Sequence, residues 1–213
     1  MIELPEVVTL ARQITDELKG ARIASCERGN SPHKWAWYSG EPGEYERIAV
    51  GKRVGAATTV WSRVVMPLEP GYVMAIGDGG GKVLLHADES TLPKKRHLML
   101  GFEDGRFLTV AIQGWGGMWL LTEDELERFD ESVPISPISD GFTYECFKRL
   151  LAEDAASGKR SVKAFMASRP RISGVGNGYV QDICFGARLH PRRDIADLTG
   201  RERQRWYHAI RRT

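Results

Sequence analysis

The chain is 213 residues long with 42% hydrophobic content, enough for one sizeable core and a smaller second one, and no run approaches the ~18 apolar residues of a membrane span. Its formal net charge of +2 hides a division, because residues 1–140 carry 15 Lys+Arg against 21 Asp+Glu and residues 141–213 carry 15 against 7: an acidic domain joined to a basic one that either faces a polyanion or presents a solvated face. Cys26, Cys146 and Cys184 form no CxxC pair and the five histidines lack metal-ligand spacing, so no disulfide framework or local zinc site is legible, and without a signal peptide the expected setting is the reducing cytoplasm.

In chain order, Pro5 suits the first turn of a helix running to about Lys19, with Val7, Leu10, Ala11, Ile14 and Leu18 on one face and Gly20 as its stop. Short β-rich runs follow at 22–26, 58–65, 72–76, 82–86, 97–102, 107–112 and 118–121, separated by Gly and Pro. Such a series predicts a β-sandwich or barrel packed on the first helix. Residues 130–141, DESVPISPISDG, have linker composition. Helices are predicted near 143–155, 160–168, 177–187 and 199–212, the last with Thr199 and Glu202 in capping-box spacing. The expected fold class is α+β, with a helix-backed sandwich over 1–129 and an all-α domain over 142–213.

The segment 172–191, ISGVGNGYVQDICFGARLHP, discloses most about function. Gly174-Val175-Gly176-Asn177 forms a glycine-framed turn that opens a helix, where backbone N–H groups and the Asn177 amide can grip a nucleic-acid phosphate. Basic residues surround it: Lys163, Arg169 and Arg171 before, Arg188, Arg192 and Arg193 after. A surface of that kind meets several phosphates at once. The turn alone is equally compatible with an ordinary helix–turn–helix in which Gly makes the bend and Asn the cap.

Two stretches resemble one known family. Met1-Ile2-Glu3-Leu4-Pro5-Glu6-Val7 is similar to the MPELPEV N-terminus of the formamidopyrimidine-DNA glycosylase and endonuclease VIII family, and GVGNGYVQDICFGARLHP resembles its helix–two-turn–helix signature, G-I-G-N-x-Y-x-x-E-x-L-F-x-A-x-I-H-P. The two motifs lie at opposite ends of the chain, in the family's order. The resemblance implies a β-sandwich with a catalytic N-terminus, a linker, and a helical DNA-binding domain. It also implies excision of an oxidised base flipped from the duplex, with an N-terminal proline amine attacking C1′ and cleaving the strand through a Schiff base. Glu3 then falls on the general acid and Glu6 on a second carboxylate near the amine. As residues in a helix's first turn, both acids also suit the helix dipole.

The departures bear on activity. Ile2 replaces the family's proline and is too bulky to favour removal of Met1, which leaves the free amine on Met1, one residue further out. The family's Gly-Lys position reads Pro70-Gly71, with Arg63 and Lys82 as possible substitutes or as surface charges. The family's D-P-R-R-F-G loop aligns with Ala111-Ile112-Gln113-Gly114-Trp115-Gly116, so Trp115 becomes the intercalating aromatic and Gln113 stands where an arginine contacts the orphan base. A tryptophan between glycines is an awkward core residue and a natural wedge. The family's H-L-G-M segment becomes His86-Ala87-Asp88-Glu89. The family's C-terminal zinc finger does not occur before Thr213, so no cofactor is expected here and zinc only with a finger beyond this sequence. The expected partner of a monomer is double-stranded damaged DNA, with no membrane; a catalytically weak or inactive reader of damaged DNA is the alternative, and a generic helical clamp on an unrelated sandwich a third reading. The Lys94-Lys95-Arg96 run reads as a phosphate contact or a solvated loop.

Overall fold

The computed structural model describes residues 2–77, 80–130, 134–168 and 170–213. They divide into two compact units, one of residues 1–2 and 6–132 and the other of Glu3–Pro5 and residues 133–213.

From Glu6 onward, α1 (Leu4–Leu18) belongs to the first unit. Val7, Ala11, Ile14 and Leu18 recur at helical spacing and are buried, and Gly20, at φ +85°, ends the helix. Ten strands follow: β1 (Ile23–Glu27), β2 (Ala36–Tyr38), β3 (Arg53–Val54), β4 (Thr58–Val60), β5 (Arg63–Glu69), β6 (Tyr72–Gly77), β7 (Gly80–His86), β8 (Leu98–Phe102), β9 (Phe107–Gln113) and β10 (Gly116–Thr122). One sheet has the order β1-β8-β9-β7 and the other β2-β10-β6-β5-β3, with β4 on β5. Among the described residues, the strand pairings are antiparallel except β2 on β10. Inward residues of both sheets, among them Met66, Met74, Leu98, Leu100 and Met118, share one core with α1, as the alternation of each strand requires.

The run expected as one strand over 58–65 is two strands folded into a hairpin, Val60 opposite Arg63, turned through Trp61 at φ +58°. A bulky residue in the left-handed region carries no turn signature, which is why the break is invisible in the sequence. A helix also sits where none was predicted. α2 (Pro42–Ala49) starts on Glu41, whose N–H donates to the Glu44 carboxylate at 3.0 Å, and buries Tyr45 and Ala49. Pro42-Gly43 reads as a loop signal, yet proline is equally at home in a helix's first turn. A further helix, α3 (Glu123–Asp130), follows β10.

The second unit holds α4 (Tyr144–Ala156), a π-helical turn at Ala164–Ser168, α5 (Asn177–Ala187) and α6 (Gly200–Arg212). The helix predicted over 160–168 is present over 162–168, its last five residues in π-helical form. Thr143 caps α4 through Cys146 N–H at 3.1 Å, and Thr199 with Glu202 forms the expected box on α6. Phe142, Phe147, Phe165 and Trp206 make an aromatic centre, with Phe147 and Phe165 each 5.2 Å from Trp206. The linker-like stretch is tied into this unit from residue 135 onward: the Ser173 N–H donates to the Ile135 carbonyl, and Arg211 donates to Pro137 O at 2.7 Å.

Candidate functional sites

In the second unit the N-terminus of α5 is already occupied by an anion, and that anion is a side chain. Glu3 is only 8% exposed. Its Oε2 accepts from the N–H groups of Gly176 at 2.9 Å and Tyr179 at 3.0 Å, and its Oε1 accepts from Gly178 at 2.9 Å. The Leu4 N–H donates to the Gly174 carbonyl at 2.7 Å alongside. A helix start leaves its first N–H groups unpaired and bears the positive dipole end, and a carboxylate from the chain's first turn satisfies both. Gly174, at φ +72°, makes the bend, and at Gly178 a Cβ would come within 3.0 Å of Glu3 Oε1. The glycines thus admit the carboxylate as well as shaping the turn.

The Gly176 N–H, expected to grip a phosphate, is instead used by Glu3, as are those of Gly178 and Tyr179. Asn177, exposed at the first position of α5, keeps its side chain outward. Lys163 is likewise exposed. Arg171 is not an outward cation, because its Nη2 pairs with Glu153 and its Nε lies 3.4 Å from Asp154 Oδ1, while Arg160 Nε approaches Asp154 Oδ2 to 2.6 Å. Asp154, 4% exposed, is the buried hub of that cluster. No motif flagged it, since one aspartate in an amphipathic helix looks like any solvated acid. Met1 and Arg169 lie outside the described residues.

In the first unit Ile2 packs on the core, against a small apolar niche lined by Ile76, Val83, Val110 and Ile112. Glu6 is exposed in the first turn of α1. Gln113 ends β9 and is exposed, and Trp115 stands at the β9–β10 turn beside Gly114 at φ +93°. Trp115 is a surface residue, so the core alternative does not apply. Sequence reasoning missed its neighbours: Trp37 lies 6.1 Å from Trp115 and Trp35 6.4 Å from Trp37. Arg63 is not a surface charge either, being buried with its guanidinium 4.3 Å over the Trp119 ring. Lys82 is exposed, and Pro70-Gly71 forms the turn between β5 and β6. His86 is buried between the hydroxyls of Thr91 and Thr109, at 2.9 and 2.8 Å.

Burial pushes the Cys26 thiol up to about 12, with Glu46 and Glu27 adding to it, and burial also raises Cys184. Both stay protonated and inert as nucleophiles near neutral pH. The three cysteines sit in β1, α4 and α5, and among the described residues no group of three or more His, Cys, Asp or Glu is placed to hold a metal ion. No described helix is long and apolar enough to cross a membrane.

These features define a class: a two-unit α+β protein whose N-terminal carboxylate is built into the start of a helix–two-turn–helix. The model of the formamidopyrimidine-DNA glycosylase N-terminal domain matches residues 1–113. The formamidopyrimidine-DNA glycosylase of Chloroflexus aurantiacus is 28% identical over 213 residues, covering 99% of this chain and 74% of that protein; that of Roseiflexus sp. is 29% identical over 208 residues, covering 95% and 72%. The Lactococcus lactis enzyme, solved in complex with DNA containing an abasic site, superposes with a TM-score of 0.84 at 19% identity, covering 98% of this chain and 76% of that one. MutM, solved in complex with DNA containing carbocyclic 8-oxo-G, likewise gives 0.84 at 19%, with 98% and 76% covered. The chain belongs to the formamidopyrimidine-DNA glycosylase family.

Proposed function

We propose that this protein is a base-excision repair DNA glycosylase acting on oxidised bases, with strand cleavage through an N-terminal amine. The observation that carries the reading is the placement of Glu3: a buried carboxylate held by the N–H groups of Gly176, Gly178 and Tyr179, two residues from the chain start. In this reading the lone pair of the terminal amine bonds to C1′ as the glycosidic bond breaks, and the departing base takes up a proton. The amine then loses a proton, and its lone pair forms the C1′=N bond of the Schiff base as the C1′–O4′ bond breaks and the ring oxygen takes up a proton. An α-amine, with a pKa of roughly 7.7–8, has a substantial neutral fraction near pH 7. The Glu3 carboxylate takes up a proton that the amine releases and returns it, as the acid, to the sugar ring oxygen. The partner assigned is double-stranded damaged DNA, met by a monomer in the cytoplasm; the basic balance of residues 141–213 and the outward Asn177 and Lys163 support the contact with phosphates.

Borohydride trapping tests the chemistry. On an abasic duplex the full chain is expected to form a covalent adduct, and acetylating its N-terminus is expected to abolish the adduct while duplex binding persists. Absence of trapping and of excision on any oxidised base, with Ile2→Pro equally silent, would leave the second reading: a binder of damaged DNA without the chemistry, favoured by Ile2 standing where the family has its proline. Both readings share one expectation. Asn177→Ala is expected to weaken damaged and undamaged duplex alike, by about threefold to tenfold in a titration, because phosphate contacts position without reading bases. A loss confined to lesion DNA would remove Asn177 from the phosphate contacts.

A further inference from the structure

On the sandwich, three tryptophans lie side by side in solvent. Trp35, Trp37 and Trp115 are 50%, 43% and 43% exposed, and their rings run in edge-on sequence at 6.4 and 6.1 Å. A contiguous exposed aromatic patch of this kind marks an interaction surface. The backbone fixes it: the Gly116 N–H donates to the Trp35 carbonyl at 2.9 Å, and β2 pairs with β10 from Ala36 opposite Gly116 to Tyr38 opposite Met118. The Trp115 turn and the Trp35–Trp37 segment are therefore one piece of sheet, pre-formed for its ligand.

The charges around the patch say what it takes. The Lys34 ammonium lies 5.0 Å from the Trp35 ring centre. Asn30 Nδ2 donates to the Lys94 carbonyl at 3.1 Å, and the Arg96 N–H donates to Asn30 Oδ1 at 3.2 Å. Those bonds bring the exposed Lys94 and Lys95 to the loop leading into Trp35. Arg96 itself is held by Glu27 at 2.6 Å. Neither residues 28–40 nor residues 90–102 contain a single Asp or Glu, in a unit that is acidic overall. Indole faces flanked by lysines suit a nucleobase and its phosphates.

A buried donor adjoins the patch. The Ile112 N–H donates to His97 Nδ1 at 2.9 Å, which puts the proton of the neutral ring on Nε2. That Nε2 is buried and has no hydrogen-bond partner among the described residues. The His97 ring meets His33 edge-on at 5.3 Å, and His33 Nδ1 accepts the Trp35 N–H at 3.2 Å. Buried as it is, this Nε2 is closed to a ligand on the surface; the His97 ring, bonded to Ile112 and packed on His33, instead anchors the loop that carries Trp35 to β9.

We propose that Trp35, Trp37 and Trp115 form a stacking platform for an unpaired nucleobase of DNA, with Lys34, Lys94 and Lys95 meeting the adjacent phosphates. The proposal rests on the DNA-binding reading above and enlarges the single wedge at Trp115 into a surface that holds a base outside the stack. Anisotropy titration of the full chain against two labelled duplexes, identical except for one bulged nucleotide, tests it. Wild type is expected to prefer the bulged duplex by about tenfold, the scale of one base–aromatic stack. Trp37→Ala is expected to lose that preference while keeping its affinity for the paired duplex, and Trp37→Phe to retain most of it, with unchanged melting temperatures showing that the fold persists. Lys34→Ser, a change at an exposed side chain, is expected to reduce the salt slope for the bulged duplex by about one. Equal wild-type binding of both duplexes, a preference that survives in the Trp35→Ala/Trp37→Ala double variant, or an unchanged slope in Lys34→Ser overturns the platform and leaves the DNA reading standing. Failure to bind either duplex overturns both.

Discussion

Glu3→Gln is expected to unfold the second unit at a lower temperature as well as to slow base excision. The carboxylate accepts three N–H groups with its two oxygens. A glutamine keeps one acceptor oxygen, so its NH₂ must face at least one backbone donor. Hydrogen bonds to a charged acceptor contribute roughly 1.5–3 kcal/mol each, and a buried donor left unsatisfied costs about 1–3 kcal/mol. A net loss of about 2 kcal/mol corresponds to a drop of roughly 10 °C for a unit of this size. Excision, assayed below that lower melting point, is expected to fall by about 10²-fold or more from loss of the acid. Asp16→Asn, exposed on α1, is the control and should melt within a degree or two of wild type. Coincident melting curves for Glu3→Gln and wild type would sink the structural half of this expectation.

Asp154→Ala is expected to destabilise the second unit strongly. Asp154 is buried between Arg160, 2.6 Å away, and Arg171, 3.4 Å away. Removing Asp154 deprives the Arg160 guanidinium, 12% exposed and nearly out of water, of that carboxylate, a loss that costs about 3–5 kcal/mol for a buried pair, whereas Arg171, 33% exposed, keeps access to solvent. Denaturant titration followed by tryptophan fluorescence reads this through Trp206, at the centre of that unit's core. Asp154→Asn should fall between. The same geometry reverses the obvious expectation for Arg171: its neutralisation should cost stability and leave the salt dependence of DNA binding unchanged, since its charge is spent on Glu153 and Asp154. A wild-type midpoint for Asp154→Ala, together with a shallower salt slope for Arg171→Ala, would return Arg171 to the phosphate contacts.

Local signals carried much of the fold. The apolar stripe of α1, the Gly20 stop, the capping box at Thr199 and Glu202, and most strands lie within two or three residues of their predicted places, because each is decided by near neighbours along the chain. What failed was decided elsewhere. Trp61 turns a hairpin in a conformation its own chemistry disfavours, and α2 starts on a Pro-Gly pair that punctuates loops more often than it opens helices. The site divides in the same way. The motif at residues 174–177 is visible as a turn, but its partner Glu3 lies more than 170 positions away, and no periodicity links the two. Arg171 reads as an outward charge until Asp154 is seen beneath it. Trp115 is legible between its glycines, whereas Trp35 and Trp37 join it only through the parallel pairing of β2 with β10.

The Asp154 cluster also separates the protein's response to salt into two parts. Its Arg160–Asp154 pair, with side chains 12% and 6% exposed, is screened far less than exposed charges, whose field at physiological ionic strength fades over about 8 Å. Added salt therefore acts first on the outward cations that meet a polyanion and only later on the pairs that keep α4 and its neighbours together. Release of a ligand by salt is then a reversible loosening of grip, with the folded framework intact and ready to bind again.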